Sequence, residues 1–382
     1  MPLKIFVPLE TADDEPRVGA SPETVKKLVA AGHTVVAQKS AGSASNFTDE
    51  DFKAAGASIG AATAGKDADV VLRVRRPSAA ELKNCKKGAA VLALMDPWDA
   101  PAELTKMAKA GISAFSMELM PRITRAQSMD VLSSQANLAG YQAVVEGAAH
   151  YDRAMPMMMT AAGTVPAAKV FVMGAGVAGL QAIATARRLG AVVTATDVRA
   201  AAGEQVESLG AKFIMTDALK DASGEGGYAR ELTDDEKKAQ SELVAGHIAK
   251  QDMVITTALI PGRPAPKLVT KDMVAAMKAG SVIVDLAVDR GGNVEGAKQG
   301  EVVVTKNGVA IVGFTNMPGR LASSASALYA KNLLTFLDTM IDKESGALSI
   351  DLEEELVKAT LLTHDGAVIH PNFAAQKSEG DA

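Results

Sequence analysis

Three glycines lie at a spacing that suits the binding of a diphosphate. Gly174, Gly176 and Gly179 form a G-x-G-x-x-G pattern between the apolar run 170–173 and a helical run. The first glycine allows a tight turn, the second lets the backbone approach a diphosphate, and the third lets the helix pack close to its strand. The N–H groups and dipole at the helix start favour negative charge. The pattern therefore predicts a dinucleotide site.

An acidic residue follows where such a site requires one. Asp197 ends the next apolar run, 23 positions after Gly174, where a carboxylate can accept hydrogen bonds from the hydroxyls of the adenosine ribose. The same carboxylate repels a 2′-phosphate, so the sequence favours NAD over NADP. Arg199 weakens this preference, because an arginine can accommodate the phosphate or stack on adenine. We predict that NAD(H) is bound by Gly174, Ala175, Gly176, Val177, Ala178, Gly179, Asp197, Val198 and Arg199.

Composition limits the other functions. The 382 residues suggest two domains. A net charge of −5, from 40 basic and 45 acidic residues, argues against nucleic acid as the main partner. Cys85 is the only cysteine, so no internal disulfide can form, and no Cys/His spacing suits a metal. We therefore expect a reducing compartment and no structural zinc.

The termini and apolar segments predict a protein that does not enter the membrane. Residues 1–10 lack the apolar core of a signal peptide and resemble a first strand, which indicates a cytoplasmic location. The uncharged segment 170–186 is nearly long enough for a membrane span. Its glycines and its strand-turn-helix pattern favour a soluble fold instead. We expect any membrane association to come through a partner.

The elements that position these residues alternate between strand-like and helical runs. This alternation predicts an α/β fold class, with two Rossmann-like doubly wound parallel-sheet domains joined by long helices. We expect one domain over 1–135 plus 325–382, completed by the C-terminal segment, and an NAD(H)-binding domain over 136–324. Ser21 before Pro22 predicts a helix N-cap, and Gly32 predicts its C-terminal end.

Several segments carry less regular patterns. Residues 126–159 contain little turn chemistry and predict a long helix, with the methionines of 155–159 packing at a domain junction. The glycine-rich and charged stretch 216–240 predicts a mobile flap followed by a solvated helix. The tail 347–370 predicts strands joined by a hairpin at Asp365-Gly366.

Longer motifs resemble a known family over essentially the whole chain. The segments 16–33, 284–292 and 315–320, together with the glycine pattern, are similar to the alanine dehydrogenase and nicotinamide nucleotide transhydrogenase superfamily. Within it, the segments 122–144, 160–176, 195–201 and 255–266 most resemble the NAD(H)-binding subunits of proton-translocating transhydrogenases.

The resemblance implies which residues hold the reactive end of the nucleotide. Gln127 is expected to steer the nicotinamide ring, and Tyr228 matches the tyrosine of a mobile loop that closes over the nucleotide. The same resemblance places at the nicotinamide end Arg122, Gln127, Asp130 and Ser133, and in the wider cofactor site Ala258 and Leu259. Such side chains can hold a carboxamide and hydroxyls, and hydride transfer between two nicotinamide rings needs no metal or nucleophile. A plain salt bridge is the alternative for Arg122 and Asp130.

The resemblance also implies partners. NADP(H) is expected on a beta subunit and proton passage in other chains, including a membrane-spanning alpha-2 subunit. The chain is expected to form a homodimer and to lie, through its partners, on the cytoplasmic face of the inner membrane.

Two other functions remain open. An alanine dehydrogenase needs a lysine and a histidine beside its keto acid, whereas Arg75 stands at the lysine position and Asp96-Pro97 at the histidine position. An ionised aspartate is not a general acid at neutral pH. Arg17 matches the arginine that holds the substrate carboxylate, although it also suits a salt bridge. The other alternative is a sensor that binds NAD without turnover.

Overall fold

Alternating apolar and helical runs fold into two α/β units. The computed structural model describes residues 2–98, 100–216 and 233–374. One unit comprises the described residues of Met1–Gln135 and Gly319–Ala382, and the other comprises those of Ala136–Pro318. The predicted flap over 217–232, with Tyr228, lies outside the described residues.

The described strands are short, as is usual for α/β proteins. They are β1 (Lys4–Val7), β2 (Thr34–Gln38), β3 (Ser58–Gly60), β4 (Val70–Arg75), β5 (Ala90–Leu94), β6 (Ser113–Ser116), β7 (Met158–Thr160), β8 (Gly163–Val165), β9 (Lys169–Met173), β10 (Val192–Thr196), β11 (Lys212–Phe213), β12 (Met253–Thr256), β13 (Val282–Asp285), β14 (Val302–Val304), β15 (Ala310–Val312), β16 (Leu361–His364) and β17 (Ala367–Val368).

The described helices lie mostly between these strands. They are α1 (Pro22–Ala30), α2 (Asp49–Ala54), α3 (Ala79–Leu82), α4 (Pro101–Ala110), α5 (Val131–His150), α6 (Val177–Arg188), α7 (Ala202–Ser208), α8 (Asp234–Ile248), α9 (Lys271–Ala276), α10 (Ala322–Asp338) and α11 (Glu355–Thr360). None of the described helices is long and apolar enough to cross a membrane.

The first unit is built on an eight-stranded sheet with the order β17-β16-β6-β5-β4-β1-β2-β3. Strands β1 to β6 pair in parallel, and β16 adds to β6 in the antiparallel direction. Val70 and Leu72 of β4 are almost wholly buried, as expected for a strand covered on both faces. From α10, Phe336 packs edge-on against Phe115 of β6, with ring centroids 5.6 Å apart.

The second unit is built on a seven-stranded sheet with the order β11-β10-β9-β12-β13-β15-β14. All its pairs are parallel except that of β14 with β15. The strand order reverses on the two sides of β9, as in a doubly wound dinucleotide fold. The predicted α/β class with large, mainly parallel sheets is confirmed.

Local signals located several ends of elements correctly. The Ser21 hydroxyl accepts a hydrogen bond from Thr24 N–H and caps α1, and Pro22 is its first residue. Gly32 has a φ of +90° just beyond the C-cap Ala31. Asp365 and Gly366 join β16 and β17 in the predicted hairpin.

Other segments differ from the predictions. The long helix over 126–159 is wrong at both ends, because 124–129 is a 3₁₀ helix and the chain leaves α5 at His150 to form the β7–β8 hairpin. Met155 is buried, but Met157 and Met159 are 63% and 79% exposed, so the cluster does not pack as a whole.

The edge and tail assignments also need correction. The run containing β14 was predicted as parallel but pairs antiparallel with β15 at the sheet edge. The tail segment Glu355–Thr360 is a helix, not a strand, because the Glu354 carboxylate caps it by accepting hydrogen bonds from Leu356 and Val357 N–H. Strand β3 has three residues and was not predicted.

Candidate nucleotide-binding site

The predicted glycine turn lies at the point where the strand order of the second sheet reverses. Gly174 follows β9 and Thr257 follows the neighbouring strand β12. Thr257 N–H donates to the Met173 carbonyl at 3.0 Å, and its hydroxyl donates to the Gly174 carbonyl at 3.2 Å. Crevices of this kind, at the carboxyl ends of parallel strands, are where doubly wound folds bind ligands.

The three glycines meet different surroundings. A Cβ at Gly174, which has a φ of +103°, would lie 2.4 Å from Thr257 Oγ1, and a Cβ at Gly179 would lie 1.8 Å from the Gly174 carbonyl oxygen. A Cβ at Gly176 would meet no described atom within 4 Å. The protein itself therefore requires glycine at 174 and 179, whereas at 176 the absence of a side chain only leaves space. That space fits a diphosphate against the backbone.

The start of α6 completes this cradle. Gly176 is the N-cap, and no side chain that the structure describes donates or accepts at this cap. Gly176 and Val177 are exposed, while Gly179 is buried against its strand. The first N–H groups of a helix lack partners within it, so these groups and the helix dipole can bind an anion.

Asp197 lies beside the turn and its carboxylate is already hydrogen-bonded. It accepts bonds from Ala175 N–H at 2.7 Å, from Arg199 N–H and Nε at 2.9 Å each, and from Arg199 Nη2 at 3.0 Å. Burial raises the pKa of this carboxyl, but the hydrogen bonds from Arg199 and Ala175 outweigh it and the net pKa is lowered. Asp197 is therefore ionised at neutral pH.

The ion pair bears on the choice between NAD and NADP. A carboxylate offers about four acceptor positions, and Ala175 and Arg199 use four here. A ribose hydroxyl must therefore replace a bond from Arg199 or share its oxygen. Because Arg199 also offsets the negative charge, Asp197 repels a 2′-phosphate less than a lone carboxylate does.

Ala258 and Leu259 follow Thr257 on the other side of the crevice. Leu259 is 52% exposed, and the backbone of Ala258 is held by the side chain of the buried Asn293. Sequence reasoning did not select Asn293 or Thr257, because neither belongs to a nucleotide motif and their partners are distant in the chain.

The four residues expected at the nicotinamide end lie on one segment of the first unit. Arg122 and Gln127 are exposed. The Asp130 carboxylate accepts hydrogen bonds from Ser133 N–H at 2.9 Å and from the Ser133 hydroxyl at 2.5 Å, which caps the start of α5. No ion pair joins Arg122 to Asp130, both of which the structure describes. The alternative of a salt bridge between them is therefore wrong.

A residue far along the chain anchors this segment. Asn332 of α10 donates from its amide to the Ser128 carbonyl at 2.7 Å and accepts a hydrogen bond from the Ser134 hydroxyl at 2.7 Å. These partners are the neighbours of Gln127 and Ser133. Sequence reasoning missed Asn332, because about two hundred residues separate it from its partners and no local pattern marks it.

Arg17, the candidate for holding a substrate carboxylate, is committed to an internal ion pair. Its Nε and Nη2 each lie 2.6 Å from the Glu15 carboxylate, and Nη1 donates to Gln135 at 2.9 Å. Arg75 Nε donates to the same carboxylate at 2.7 Å. Burial raises the pKa of Glu15, but Arg17 and Arg75 outweigh it and the net pKa is lowered. The interpretation of Arg17 as part of a salt bridge is confirmed.

The position expected for a dehydrogenase histidine also has another role. Asp96 has a φ of +44°, its N–H donates to the Glu118 carboxylate, and Arg76 Nη1 donates to its carbonyl at 3.0 Å. Each histidine of the chain bonds to a partner outside this group, as the contacts show for His33, His150, His247, His364 and His370.

The chain matches two family models that together cover most of its length. Residues 6–139 match the N-terminal domain, and residues 143–371 the C-terminal domain, of the alanine dehydrogenase/PNT family. The chain belongs to this family. The resemblance expected from its motifs is therefore confirmed.

Individual members of the family differ in their similarity to the chain. An NAD(P) transhydrogenase alpha-subunit protein of Rhodospirillum rubrum is 53% identical over 98% of this chain and 100% of its own. An alanine dehydrogenase of Halomonas elongata is 30% identical over 96% of this chain and 95% of its own. A solved structure of transhydrogenase from Sinorhizobium meliloti is 60% identical, with a TM-score of 0.88 over 96% of this chain and 100% of its own.

Proposed function

We propose that this chain is the NAD(H)-binding subunit of a proton-translocating transhydrogenase. It passes hydride directly between NADH and NADP⁺ held by a partner subunit. The observation that carries the proposal is the glycine turn at the strand-order reversal, with open space at Gly176 and a carboxylate at Asp197. Full-length identity of 53% to a transhydrogenase alpha-subunit protein supports this member of the family over the dehydrogenases.

The proposal gives each region of the chain a task. The N–H groups at the start of α6 hold the diphosphate, and Asp197 holds the adenosine ribose. Arg122, Gln127, Asp130 and Ser133 hold the carboxamide and ribose of the nicotinamide end, and Gln127 sets the orientation of the ring. Bound NADH supplies the hydride. Orientation is the main contribution that such a site can make, because hydride transfer between nicotinamides needs no acid–base residue.

The first unit argues against reduction of a keto acid. Glu15 occupies the guanidinium fork of Arg17 and also binds Arg75, and both Arg17 and Glu15 are nearly inaccessible to solvent. A substrate carboxylate must displace this internal one. Neither Arg75 nor Asp96 supplies the lysine and histidine of the dehydrogenase reaction. The alternative of an alanine dehydrogenase is therefore disfavoured, and a sensor that binds NAD without turnover remains the rival.

The proposal includes partners. The NADP(H)-binding beta subunit presents the second ring, and the membrane-spanning alpha-2 subunit belongs to the region of the complex that moves protons. The chain then lies on the cytoplasmic face of the inner membrane through these subunits.

The proposed homodimer has support in the β7–β8 hairpin. These two strands form a sheet of their own, and Met157, Met158 and Met159 are exposed around them. An isolated two-stranded sheet is marginal in water, so a second copy that covers these methionines would stabilise it.

Reconstitution tests the function. The purified chain should bind NADH but should not oxidise it with pyruvate and ammonia. After addition of the NADP(H)-binding subunit, it should transfer hydride from NADH to an NADP⁺ analogue that absorbs at a separate wavelength. Turnover of pyruvate by the chain alone would favour the dehydrogenase. NADH binding without transfer in the reconstituted pair would favour the sensor.

A further inference from the structure

Asn293 is a buried polar residue to which the proposed function assigns no task. It is wholly inaccessible to solvent. Its amide group donates to the carbonyls of Ala258 at 2.9 Å and Pro266 at 2.8 Å, and its side-chain oxygen accepts from Ala258 N–H at 3.0 Å. One side chain thus satisfies both backbone groups of Ala258.

The segment that Asn293 holds forms one side of the crevice. It begins at Thr257, whose hydroxyl donates to the Gly174 carbonyl. Its far end is held by the backbone of Asn293, whose carbonyl accepts from Leu268 N–H at 2.8 Å and Val269 N–H at 3.0 Å. The path of 258–268 beside the glycine turn is therefore set by one residue.

Asn293 is itself held by a rigid support. The next residue, Val294, donates from its N–H to the Asp285 carboxylate at 3.0 Å. Asp285 is wholly buried at the end of β13 and also accepts from Ala287 N–H at 2.9 Å and the Thr256 hydroxyl at 3.2 Å. The support thus leads back to Thr256, at the end of β12.

We infer that Asn293 is a positioning residue for the nucleotide, acting through the backbone of Ala258. The inference rests on the proposed binding of NAD(H) in this crevice. Asparagine suits the position because it supplies two donors and an acceptor in one short side chain. Aspartate has the same size but supplies no donor, and it places a carboxylate against two carbonyl oxygens. This loss of pairing in a buried site displaces 258–266.

The test compares two substitutions by calorimetric titration with NADH. Asn293→Asp is expected to raise the Kd for NADH about tenfold, which equals the loss of one hydrogen bond to a charged group at the lower end of its range. Asn293→Ala removes the same bonds without adding charge. It serves as the second variant if the aspartate form does not fold, and the same change is expected.

Asn307 provides the matched control. Its amide donates to the carbonyls of Val274 at 3.0 Å and Met277 at 3.2 Å, and its oxygen accepts from the Thr305 hydroxyl at 2.7 Å. It lies before β15, at the opposite end of the parallel strands. Asn307→Asp should lower the melting temperature similarly but leave the NADH affinity within about twofold of wild type.

The outcomes separate the inference from the proposed function. An unchanged Kd in both Asn293 variants, or an equal loss of affinity in Asn307→Asp, would overturn the positioning role. Failure of the wild-type chain to bind NADH would instead overturn the proposed function. Measuring the midpoint of thermal unfolding of each variant without nucleotide shows how much of any change is general destabilisation.

Discussion

Replacing Gly176 with alanine should separate nucleotide binding from folding. The added Cβ meets no described atom within 4 Å. The backbone at this N-cap has a φ of −78°, which alanine adopts readily. Alanine is a poorer N-cap than glycine by several tenths of a kcal/mol or more, but it also lowers the entropy of the unfolded chain, a gain of about 0.4–1 kcal/mol. The free energy of unfolding should therefore change by less than about 0.5 kcal/mol.

Binding should change much more. The methyl group occupies the space through which a diphosphate reaches the N–H groups of α6. Losing one or two hydrogen bonds to a charged group, at about 1.5 kcal/mol each, costs about 1.5–3 kcal/mol. The Kd for NADH should therefore rise about 10- to 150-fold. Calorimetric titration measures the Kd, and urea denaturation of the nucleotide-free protein measures the free energy of unfolding.

Two other glycines define the comparison. In Gly179→Ala the Cβ would lie 1.8 Å from the Gly174 carbonyl oxygen, so α6 must move and stability should fall by about 1–3 kcal/mol as well. Gly246 lies exposed within α8 and also has open space, so Gly246→Ala should stabilise the helix by about 0.5–1 kcal/mol without altering the Kd. An NADH affinity within twofold of wild type in Gly176→Ala would refute the reasoning.

Three further predictions follow from the described contacts. Gln127→Asn should slow hydride transfer in the reconstituted pair at least about tenfold with little change in the Kd for NADH, because it disturbs orientation; single-turnover absorbance measures this, and a wild-type rate would contradict the role. Asp197→Asn should narrow the preference for NADH over NADPH in paired titrations. The folded pKa of Asp197 lies below its ordinary value of 3.8, so its stabilising effect is present above that value and is lost as the pH falls through the folded pKa. The difference in unfolding free energy between wild type and Asp197→Asn, followed by urea denaturation, should thus shrink in acid; a constant difference would count against the ion pair with Arg199. Glu15→Ala should cost about 3–5 kcal/mol, because it leaves Arg17 buried beside Arg75 without the carboxylate that binds both; a loss below about 1 kcal/mol in urea denaturation would disprove this.

Short-range patterns predicted the features that depend on neighbouring residues. The spacing of Gly174, Gly176 and Gly179 depends on local backbone geometry, and so do the cap at Ser21 and the hairpin at Asp365-Gly366. The alternation of strand and helix likewise predicted two parallel sheets. The roles of Arg122, Gln127, Asp130 and Ser133 came from family resemblance and stay predictions.

Contacts between distant segments were decided only in the tertiary structure. Nothing near Asn293 or Asn332 in the sequence shows that one holds Ala258 and the other holds Ser128. The helix boundary at His150 and the antiparallel edge strand β14 were missed for the same reason, because tertiary packing overrides weak local preference. The sequence by itself determined which chemistry the chain can offer, since residue type and short spacing are local. The fold decided which groups are held, paired or left open, since buried hydrogen bonds join residues far apart in the chain.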